Sequence, residues 1–354
     1  MDYPFGLRSR GRGFKSPRAH HFLSGKLNNL QERFVEPMLL SIGLLILAIA
    51  LIYLGARWLV DGASELAAYF GVSSIIIGLT VVGMGTSAPE LMLAIISGVE
   101  GVGSISAGNV FGANIANATY VIGASIIALP IVVKFKEIRR EALFLFAALL
   151  ITTFMALDGT ISRLEGIFLI LLSFALMILT LRTLRNNRVD SSLAEEFESI
   201  KPDTKHPLKS ALLVIIGLAI LIVGTDLAVD SATEIATVLG VSEFLIGLTI
   251  MTFGTTTPEF AASLIASLRG NSDLALGNIL GTMFFNATIV LGTASAISPL
   301  IISSDQLLFG VLAQLAIGSL MLAIIYRKNY LTRPLGVALV LLYIIYISAV
   351  LILT

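Results

Sequence analysis

Apolar runs of about 20 residues recur along this chain from Leu39 onwards, and each is long enough to cross the ~30 Å hydrocarbon layer of a bilayer as an α-helix. Hydrophobic residues make up 56% of the 354 positions and charged residues only 13%. Soluble domains carry roughly 25% charged residues. The sequence therefore predicts an all-α integral membrane protein and excludes a soluble domain.

Ten such spans are predicted, joined mostly by short polar segments. Their approximate bounds are 39–60, 74–98, 104–129, 141–157, 163–182, 209–230, 243–268, 274–298, 306–326 and 335–353. Residues 185–208 are the one long hydrophilic stretch between spans, and they separate five spans in residues 38–184 from five spans in residues 209–354. We expect this stretch to be a solvated linker.

An internal repeat relates the two sets of spans. Glu90 and Glu259 lie 169 positions apart, and at this offset residues 61–130 align with residues 230–299 without a gap. More than a third of the aligned positions are identical. Because each copy holds five spans, an odd number, the second copy enters the membrane from the opposite side. Inverted repeats are typical of secondary transporters, which bind their substrate near the membrane midplane between the copies.

Lys and Arg are concentrated in the loops of one membrane side. These residues are Lys134, Lys136, Arg139, Arg140, Arg182, Arg185, Arg188, Arg327, Lys328 and Arg333. Positive charges favour the cytoplasmic side, so the loops after spans 1, 3, 5, 7 and 9, including the linker, are predicted to be cytoplasmic. The N-terminus is then predicted to lie outside the plasma membrane.

Residues 1–37 differ from the rest of the chain, because they are basic and contain no apolar run. They lack the hydrophobic region of a signal peptide. Two interpretations are open: a basic cytoplasmic arm, or a disordered or mis-assigned extension before a start at Met38. The second agrees better with an N-terminus on the outside, where basic segments are disfavoured.

The composition limits the chemistry that is available inside the membrane. The chain has no cysteine, and its three histidines, His20, His21 and His206, lie outside the apolar runs. Thiolate and histidine metal sites are therefore excluded, and the remaining oxygen ligands suit hard cations such as Ca2+. The formal net charge of zero gives no indication of a nucleic-acid partner. No cofactor and no obligate protein partner are predicted, so the expected partners are the transported ions and the lipid bilayer.

Two related polar motifs interrupt spans 2 and 7. They read Gly85-Thr86-Ser87-Ala88-Pro89-Glu90 and Gly254-Thr255-Thr256-Thr257-Pro258-Glu259. A carboxylate at this depth is costly, by at least a few kcal/mol, and no Lys or Arg lies mid-span to pair with it. Proline removes an N–H from the helix ladder, so Thr86, Thr255 or their neighbours are predicted to offer carbonyl oxygens. Glu90 and Glu259 are therefore predicted to bind a cation.

Spans 3 and 8 carry Asn117 and Asn286 at equivalent positions. With the two glutamates, the threonine hydroxyls and the freed carbonyls, they are predicted to form a cage of hard oxygen atoms. Its two acids give a charge of −2, which matches one Ca2+ and can accommodate several Na+. Asn109 and Asn278, in the same spans, are expected instead to hydrogen-bond a neighbouring helix.

At these residues the chain resembles the calcium/cation antiporter superfamily, specifically its prokaryotic sodium/calcium exchanger branch. The resemblance rests on two patterns, Gly-Thr-Ser-x-Pro-Glu (with Thr256 in place of Ser in the second copy) and Gly-Asn-x-x-Gly-x-x-x-x-Asn, each present twice between about Met38 and Thr354. It implies ten transmembrane helices in two inverted five-helix halves, and a mechanism of alternating access.

The resemblance also implies roles for individual residues. Glu90 and Glu259 correspond to the central carboxylates shared by Ca2+ and Na+. The other implied ligands are the carbonyls of Thr86 and Thr255, the hydroxyls of Ser87, Thr256 and Thr282, the backbone oxygens of Gly83 and Thr252, and the side chains of Asn117 and Asn286. Ala113 stands where the family usually has a hydroxyl, so one sodium position is expected to be weakened and the stoichiometry stays open.

The predicted function is secondary antiport of Ca2+ against Na+, used for Ca2+ extrusion. The alternative is a proton-coupled Ca2+ exchanger, although the glutamate found in the Gly-Asn motifs of such exchangers is absent after Asn109 and Asn278. A cation channel built from the same oxygens is an alternative of another class. No catalytic residues are predicted, and the chain is not expected to be an enzyme.

Overall fold

The structure, a computed structural model, describes residues 36–133, 135–186, 207–240 and 252–353. Its first half contains α1 (Glu36–Phe70), α2 (Ser74–Ile77), α3 (Gly83–Thr86), α4 (Ala88–Val99), α5 (Gly103–Ala116), α6 (Ile122–Ala128), β1 (Ile131–Val132), α7 (Phe135–Ala156), β2 (Thr160–Ile161) and α8 (Arg163–Asn186). Its second half contains α9 (Pro207–Val238), α10 (Thr252–Leu268), α11 (Ser272–Phe285), α12 (Leu291–Ile297), β3 (Leu300–Ile301), α13 (Ala313–Arg327), β4 (Tyr330–Leu331) and α14 (Arg333–Leu353). Most of the predicted N-terminal extension and linker lies outside the described residues.

Short π-helical segments interrupt several of these helices. They are Gly78–Val82 between α2 and α3, Asn117–Val121 between α5 and α6, Asn286–Val290 between α11 and α12, and Gln306–Leu312 before α13. The first three lie within or beside the polar motifs, where a π-turn changes the direction of the following side chains. The counterpart of Gly78–Val82, residues 247–251, falls outside the described ranges.

Seven helices in the described ranges are long and apolar enough to cross a membrane. An eighth span is obtained if Ser74–Thr86 and Ala88–Val99, which are bent by 41° at Ser87, are taken as one. The other two predicted spans correspond to α7, whose first turns are rich in charged residues, and to α10, which is described only from Thr252. The chain is therefore an all-α, multi-pass membrane protein, and this count is consistent with ten spans.

The strand pairs are consistent with two halves related by a pseudo-two-fold axis. β1 pairs antiparallel with β4, and β2 pairs antiparallel with β3. Because β1 and β3 are equivalent in the repeat, as are β2 and β4, each pair is the image of the other. Ile131 opposite Leu331 thus corresponds to Leu300 opposite Ile161. Each two-stranded sheet therefore contains one strand from each half.

The equivalent helices α1 and α9 pack against each other in opposite directions. Gly62 near the end of α1 lies against Val214 near the start of α9, whereas Gly224 lies against Ala48. The absence of a side chain at these glycines lets the two backbones approach closely, as small residues do in membranes. Equivalent helices that run antiparallel are what an inverted repeat requires.

Serine–glutamate hydrogen bonds join α1 and α9 near both ends of their contact. Ser41 Oγ donates to Glu234 at 2.9 Å, and the equivalent Ser210 Oγ donates to Glu65 at 2.5 Å. A hydrogen bond to a charged acceptor is about twice as strong as a neutral one. The antiparallel pair is therefore held at both ends as well as along its glycine contacts.

Turns with left-handed glycines lead into α5 and α11. Gly101 and Gly270 have φ of +76° and +77°, a conformation that residues with a Cβ rarely adopt. Asn271 then caps α11, because its side chain accepts a hydrogen bond from the Leu274 N–H at 3.1 Å. These turns place the site-bearing helices α5 and α11 in the interior, while α1, α8 and α14 expose large apolar side chains.

Candidate cation site

Glu90 and Glu259 lie on two helices that proline modifies in different ways. Glu90 is in the first turn of α4, directly after the bend at Ser87, with Pro89 at the start of the helix, where its missing N–H is tolerated. Pro258 lies inside α10, so the carbonyl of the residue four positions earlier lacks its usual donor. The predicted helix break is thus present in the first half, and α10 continues through its proline.

Both glutamate side chains are fully buried, and neither carboxylate has a hydrogen-bond partner among the described residues. The Thr86 hydroxyl lies near Glu259 but is hydrogen-bonded elsewhere. No described Lys or Arg forms an ion pair with either glutamate, and the two carboxylates repel each other. Burying an unpaired charge costs several kcal/mol. The described protein groups supply no compensating positive charge, whereas a bound cation would.

Asn117 and Asn286 are the first residues of equivalent π-helical segments. Both side chains are completely buried, and neither the amide nitrogen nor the amide oxygen of either one has a hydrogen-bond partner in the described ranges. An unsatisfied buried polar group costs about 1–3 kcal/mol. Their amide oxygens are thus available as neutral ligands.

Four predicted ligands of the site meet at one backbone oxygen. The Gly83 carbonyl accepts hydrogen bonds from Ser87 Oγ at 2.9 Å, Thr86 Oγ1 at 3.4 Å and Thr282 Oγ1 at 3.4 Å. The hydroxyls of Thr86 and Thr282 are also 3.2 Å apart. The structure therefore brings Gly83, Thr86, Ser87 and Thr282 together across the two halves.

The remaining predicted ligands lie at the second motif. Thr256 is buried, and its hydroxyl is 2.5 Å from the Tyr120 hydroxyl. Thr255 is partly buried, and Thr252 is the first residue of α10, with its side chain outside the described part. Ala113, the equivalent of Thr282, is buried and offers only a methyl group. The two halves therefore present different sets of hydroxyls.

Two equivalent asparagines connect the motifs across the halves. Asn278 Oδ1 accepts a hydrogen bond from Thr86 Oγ1 at 3.2 Å, and Asn109 Oδ1 accepts one from Thr255 Oγ1 at 3.1 Å. Each bond links the motif of one half to the span that follows the motif of the other half. The expected role of Asn109 and Asn278, hydrogen bonding to a neighbouring helix, is therefore observed.

Tyr120 and Ser263 contact the site residues although the sequence motifs did not indicate them. Tyr120 lies three residues after Asn117, and its ring packs on Phe253, 5.3 Å away between ring centroids. Its equivalent in the second half is Ile289. A comparison of the two repeats, position by position, would have shown this difference beside a motif.

The donor set matches hard cations. No group of three or more His, Asp or Glu side chains in the described ranges could hold a metal ion. Glu90 and Glu259 are thus accompanied by neutral oxygens from amides, hydroxyls and carbonyls. Such oxygens bind ions like Na+ and Ca2+, and two carboxylates limit the negative charge to what a divalent ion can balance.

A family model described as "Sodium/calcium exchanger protein" matches residues 40–182 and 209–352. The chain belongs to this family. The match falls in two blocks that follow the two repeats and leave out residues 183–208. It confirms the predicted superfamily and the class of transporter rather than enzyme.

Relatives in bacteria and archaea cover most of the chain. The inner membrane protein YrbG of Escherichia coli (strain K12) is 31% identical over 265 residues, which are 74% of this chain and 81% of that protein. The sodium/calcium exchanger MaX1 of Methanosarcina acetivorans is 27% identical over 345 residues, which are 87% and 98% of the two chains. Among solved structures, the sodium-calcium exchanger NCX_Mj soaked with 10 mM Na+ and zero Ca2+ matches with a TM-score of 0.76 and 29% identity, over 88% of this chain and 99% of that one.

Proposed function

We propose that this exchanger-family chain exchanges Ca2+ for Na+ across the cell membrane by alternating access, and that it serves to extrude Ca2+. The observation that carries this proposal is the pair of fully buried carboxylates, Glu90 and Glu259, which have no hydrogen-bond partner among the described residues. A doubly negative buried site is stable only when it is filled or protonated. Exchange then follows, because access to the site can change from one side of the membrane to the other only when the site holds one cargo or the other.

In this proposal Glu90 and Glu259 bind either ion, and Asn117 and Asn286 supply neutral oxygens at the same level. The carbonyls of Thr86 and Thr255 complete the Ca2+ position. The flanking Na+ positions use Gly83, Ser87, Thr252, Thr256 and Thr282. This assignment is supported by the cluster of hydroxyls around the Gly83 carbonyl, and by the likeness to exchangers of known structure.

The proposed orientation places the end of α1 and the start of α11 at the cytoplasm, with the N-terminus outside. The basic loops support it, since Lys and Arg are retained on the cytoplasmic side. The ion gradients set the net direction of exchange, so an inward Na+ gradient would move Ca2+ outwards.

Ca2+ flux in proteoliposomes tests the coupling. Vesicles loaded with Na+ and diluted into Na+-free medium should accumulate Ca2+, and the matched control is vesicles with equal Na+ on both sides. Because three Na+ per Ca2+ would move net charge, valinomycin with K+ should alter the rate if the exchange is electrogenic. Accumulation driven by a pH gradient but not by a Na+ gradient would contradict the proposal and favour H+/Ca2+ exchange. Flux that ignores every counter-gradient would favour a channel.

A further inference from the structure

A complete hydrogen-bond network holds the backbone at Glu259. Asn278 Nδ2 donates to the Glu259 carbonyl oxygen at 3.3 Å and to Ser263 Oγ at 2.9 Å. Asn278 Oδ1 accepts from Thr86 Oγ1 at 3.2 Å. Asn278 and Ser263 are both buried. Because both ends of the amide are engaged, it cannot turn without leaving a buried polar group unsatisfied, which is unfavourable.

The equivalent network around Glu90 is incomplete. Asn109 Oδ1 accepts from Thr255 Oγ1 at 3.1 Å, but Asn109 Nδ2 has no partner in the described ranges. The residue equivalent to Ser263 in the first half is Ala94, which is also completely buried. Its methyl group cannot accept a hydrogen bond. The Ser263 hydroxyl therefore gives the Asn278 amide nitrogen a hydrogen-bond partner, whereas the Asn109 amide nitrogen has none in the described ranges.

The shorter of the two Asn278 donor bonds goes to Ser263 rather than to Glu259. The serine hydroxyl thus fixes the plane of the amide, and the second N–H then faces the Glu259 carbonyl. In the first half, where no hydroxyl fixes the amide of Asn109, its nitrogen makes no bond to the backbone of Glu90. The backbone contact is thus present in the half that has the serine and absent in the half that has Ala94.

We propose that Ser263 is a positioning residue, which holds Glu259 in place through Asn278 and makes the two central glutamates unequal. Glu259 is fixed relative to Thr86 of the opposite half, whereas Glu90 has no such restraint. This inference rests on the proposed function, since it concerns how tightly the paired carboxylates hold a cation. A pre-oriented ligand loses less freedom on binding and so contributes more to affinity.

A double-mutant cycle on the full-length transporter tests the route through Asn278. Ser263→Ala should raise the half-saturating Ca2+ concentration about two- to tenfold, the range of one hydrogen bond, with the maximal rate unchanged. In an Asn278→Ala background, Ser263→Ala should have no further effect. The matched variant Ala94→Ser gives Asn109 Nδ2 an acceptor and should lower the half-saturating concentration. Multiplicative effects of Ser263→Ala and Asn278→Ala, or an unchanged half-saturating concentration in Ser263→Ala, would overturn the inference.

Amide hydrogen exchange tests the positioning independently of transport. In the detergent-solubilised protein, residues 259–263 should exchange more slowly than residues 90–94, and Ser263→Ala should accelerate only the first segment. Failure of Na+-driven Ca2+ uptake in the unmodified protein would refute the proposed function and leave this measurement valid. Equal exchange in the two segments, with no effect of Ser263→Ala, would refute the positioning role even if transport is normal.

Discussion

Arg269, which follows α10, forms an ion pair with Asp61 of α1. The pseudo-two-fold counterparts of these residues, Glu100 and Asp230, are both acidic, and Asp230 lies close enough to Asp226 for the two to repel. Arg57 also approaches Asp61, at 3.9 Å. One end of the molecule is therefore joined by opposite charges, whereas the equivalent positions of the other end carry like charges.

We expect Asp61→Asn to loosen the contact between α1 and the loop after α10. Since the chain has no cysteine, the substitution Val72→Cys introduces a single thiol at a partly buried position. The reactivity of this thiol reports how accessible this end of the molecule is to solvent. Its maleimide labelling should become about 1.4- to fivefold faster, because a partly exposed ion pair contributes about 0.2–1 kcal/mol. Asp230→Asn in the same background is the control and should leave labelling unchanged. Equal labelling of Asp61→Asn and the parent would contradict the role of this ion pair.

Neutralising either central glutamate should nearly abolish Ca2+ exchange without unfolding the protein. Glu90→Gln and Glu259→Gln keep the volume of the buried side chain but halve the charge of the site, so a divalent ion is no longer balanced. Na+-driven Ca2+ uptake should fall to the level of empty vesicles, while the thermal transition in detergent stays at or above that of the parent. The exposed Glu100 offers a control, Glu100→Gln, which should retain uptake. Near-normal transport by either site variant would refute the assignment.

Restoring the hydroxyl at position 113 should strengthen Na+ binding. Ala113 is equivalent to Thr282, whose hydroxyl contacts the Gly83 carbonyl and the Thr86 hydroxyl. Ala113→Thr should lower the half-saturating Na+ concentration about two- to tenfold, the worth of one buried polar contact. The reciprocal variant Thr282→Ala should raise it. If both variants match the parent, these positions do not bind Na+.

Removing the Tyr120 hydroxyl should weaken the second half of the site. Tyr120→Phe keeps the ring contacts with Phe253 and Tyr343 but removes the oxygen that is hydrogen-bonded to Thr256. We expect a higher half-saturating Na+ concentration with little change in thermal stability. Tyr326→Phe, at an exposed tyrosine, is the control for phenol removal. A loss of stability with unchanged Na+ dependence would instead assign Tyr120 to packing alone.

A side chain at Gly281 should disrupt the contact between the halves. A Cβ there would overlap the backbone of Leu79, and overpacking of this kind typically costs about 1–3 kcal/mol. Gly281→Ala should therefore lower the melting temperature in detergent. Gly43→Ala is the matched control, because a Cβ at Gly43 meets no described atom within 4 Å. Equal melting temperatures for the two variants would show that the helices can move apart at no cost.

Much of the fold could be predicted from residue pattern alone. The runs of apolar residues indicated the spans, and the 169-residue offset indicated two inverted halves, which the antiparallel contact of α1 with α9 now supports. The bounds were less accurate: α7 begins at Phe135 rather than near residue 141, since the charged residues at its start still form helical turns. Their charge kept these residues out of the predicted membrane span, although they are helical in the structure.

The site could be predicted in part. Glu90 and Glu259 stood out because a carboxylate within an apolar run is costly to bury. The apolar neighbours that reveal this cost are adjacent in the sequence. Tyr120 and Ser263 did not stand out, because a tyrosine or serine in a membrane helix is ordinary. Their importance depends on the residues to which they are hydrogen-bonded, Thr256 and Asn278. Those partners are more than a dozen positions away in the sequence.

The sequence by itself determined that this is a membrane protein with two related halves, because hydropathy and repetition are properties of the chain. It also indicated that Glu90 and Glu259 are buried, since length and apolar flanks place them inside the bilayer. Only the tertiary structure decided that the hydrogen-bond networks beside the two glutamates are unequal. Ser263 completes the hydrogen bonds of Asn278, while Ala94 leaves those of Asn109 incomplete. Hydrogen bonds form between groups that folding brings together, so a single hydroxyl acquires its effect only there.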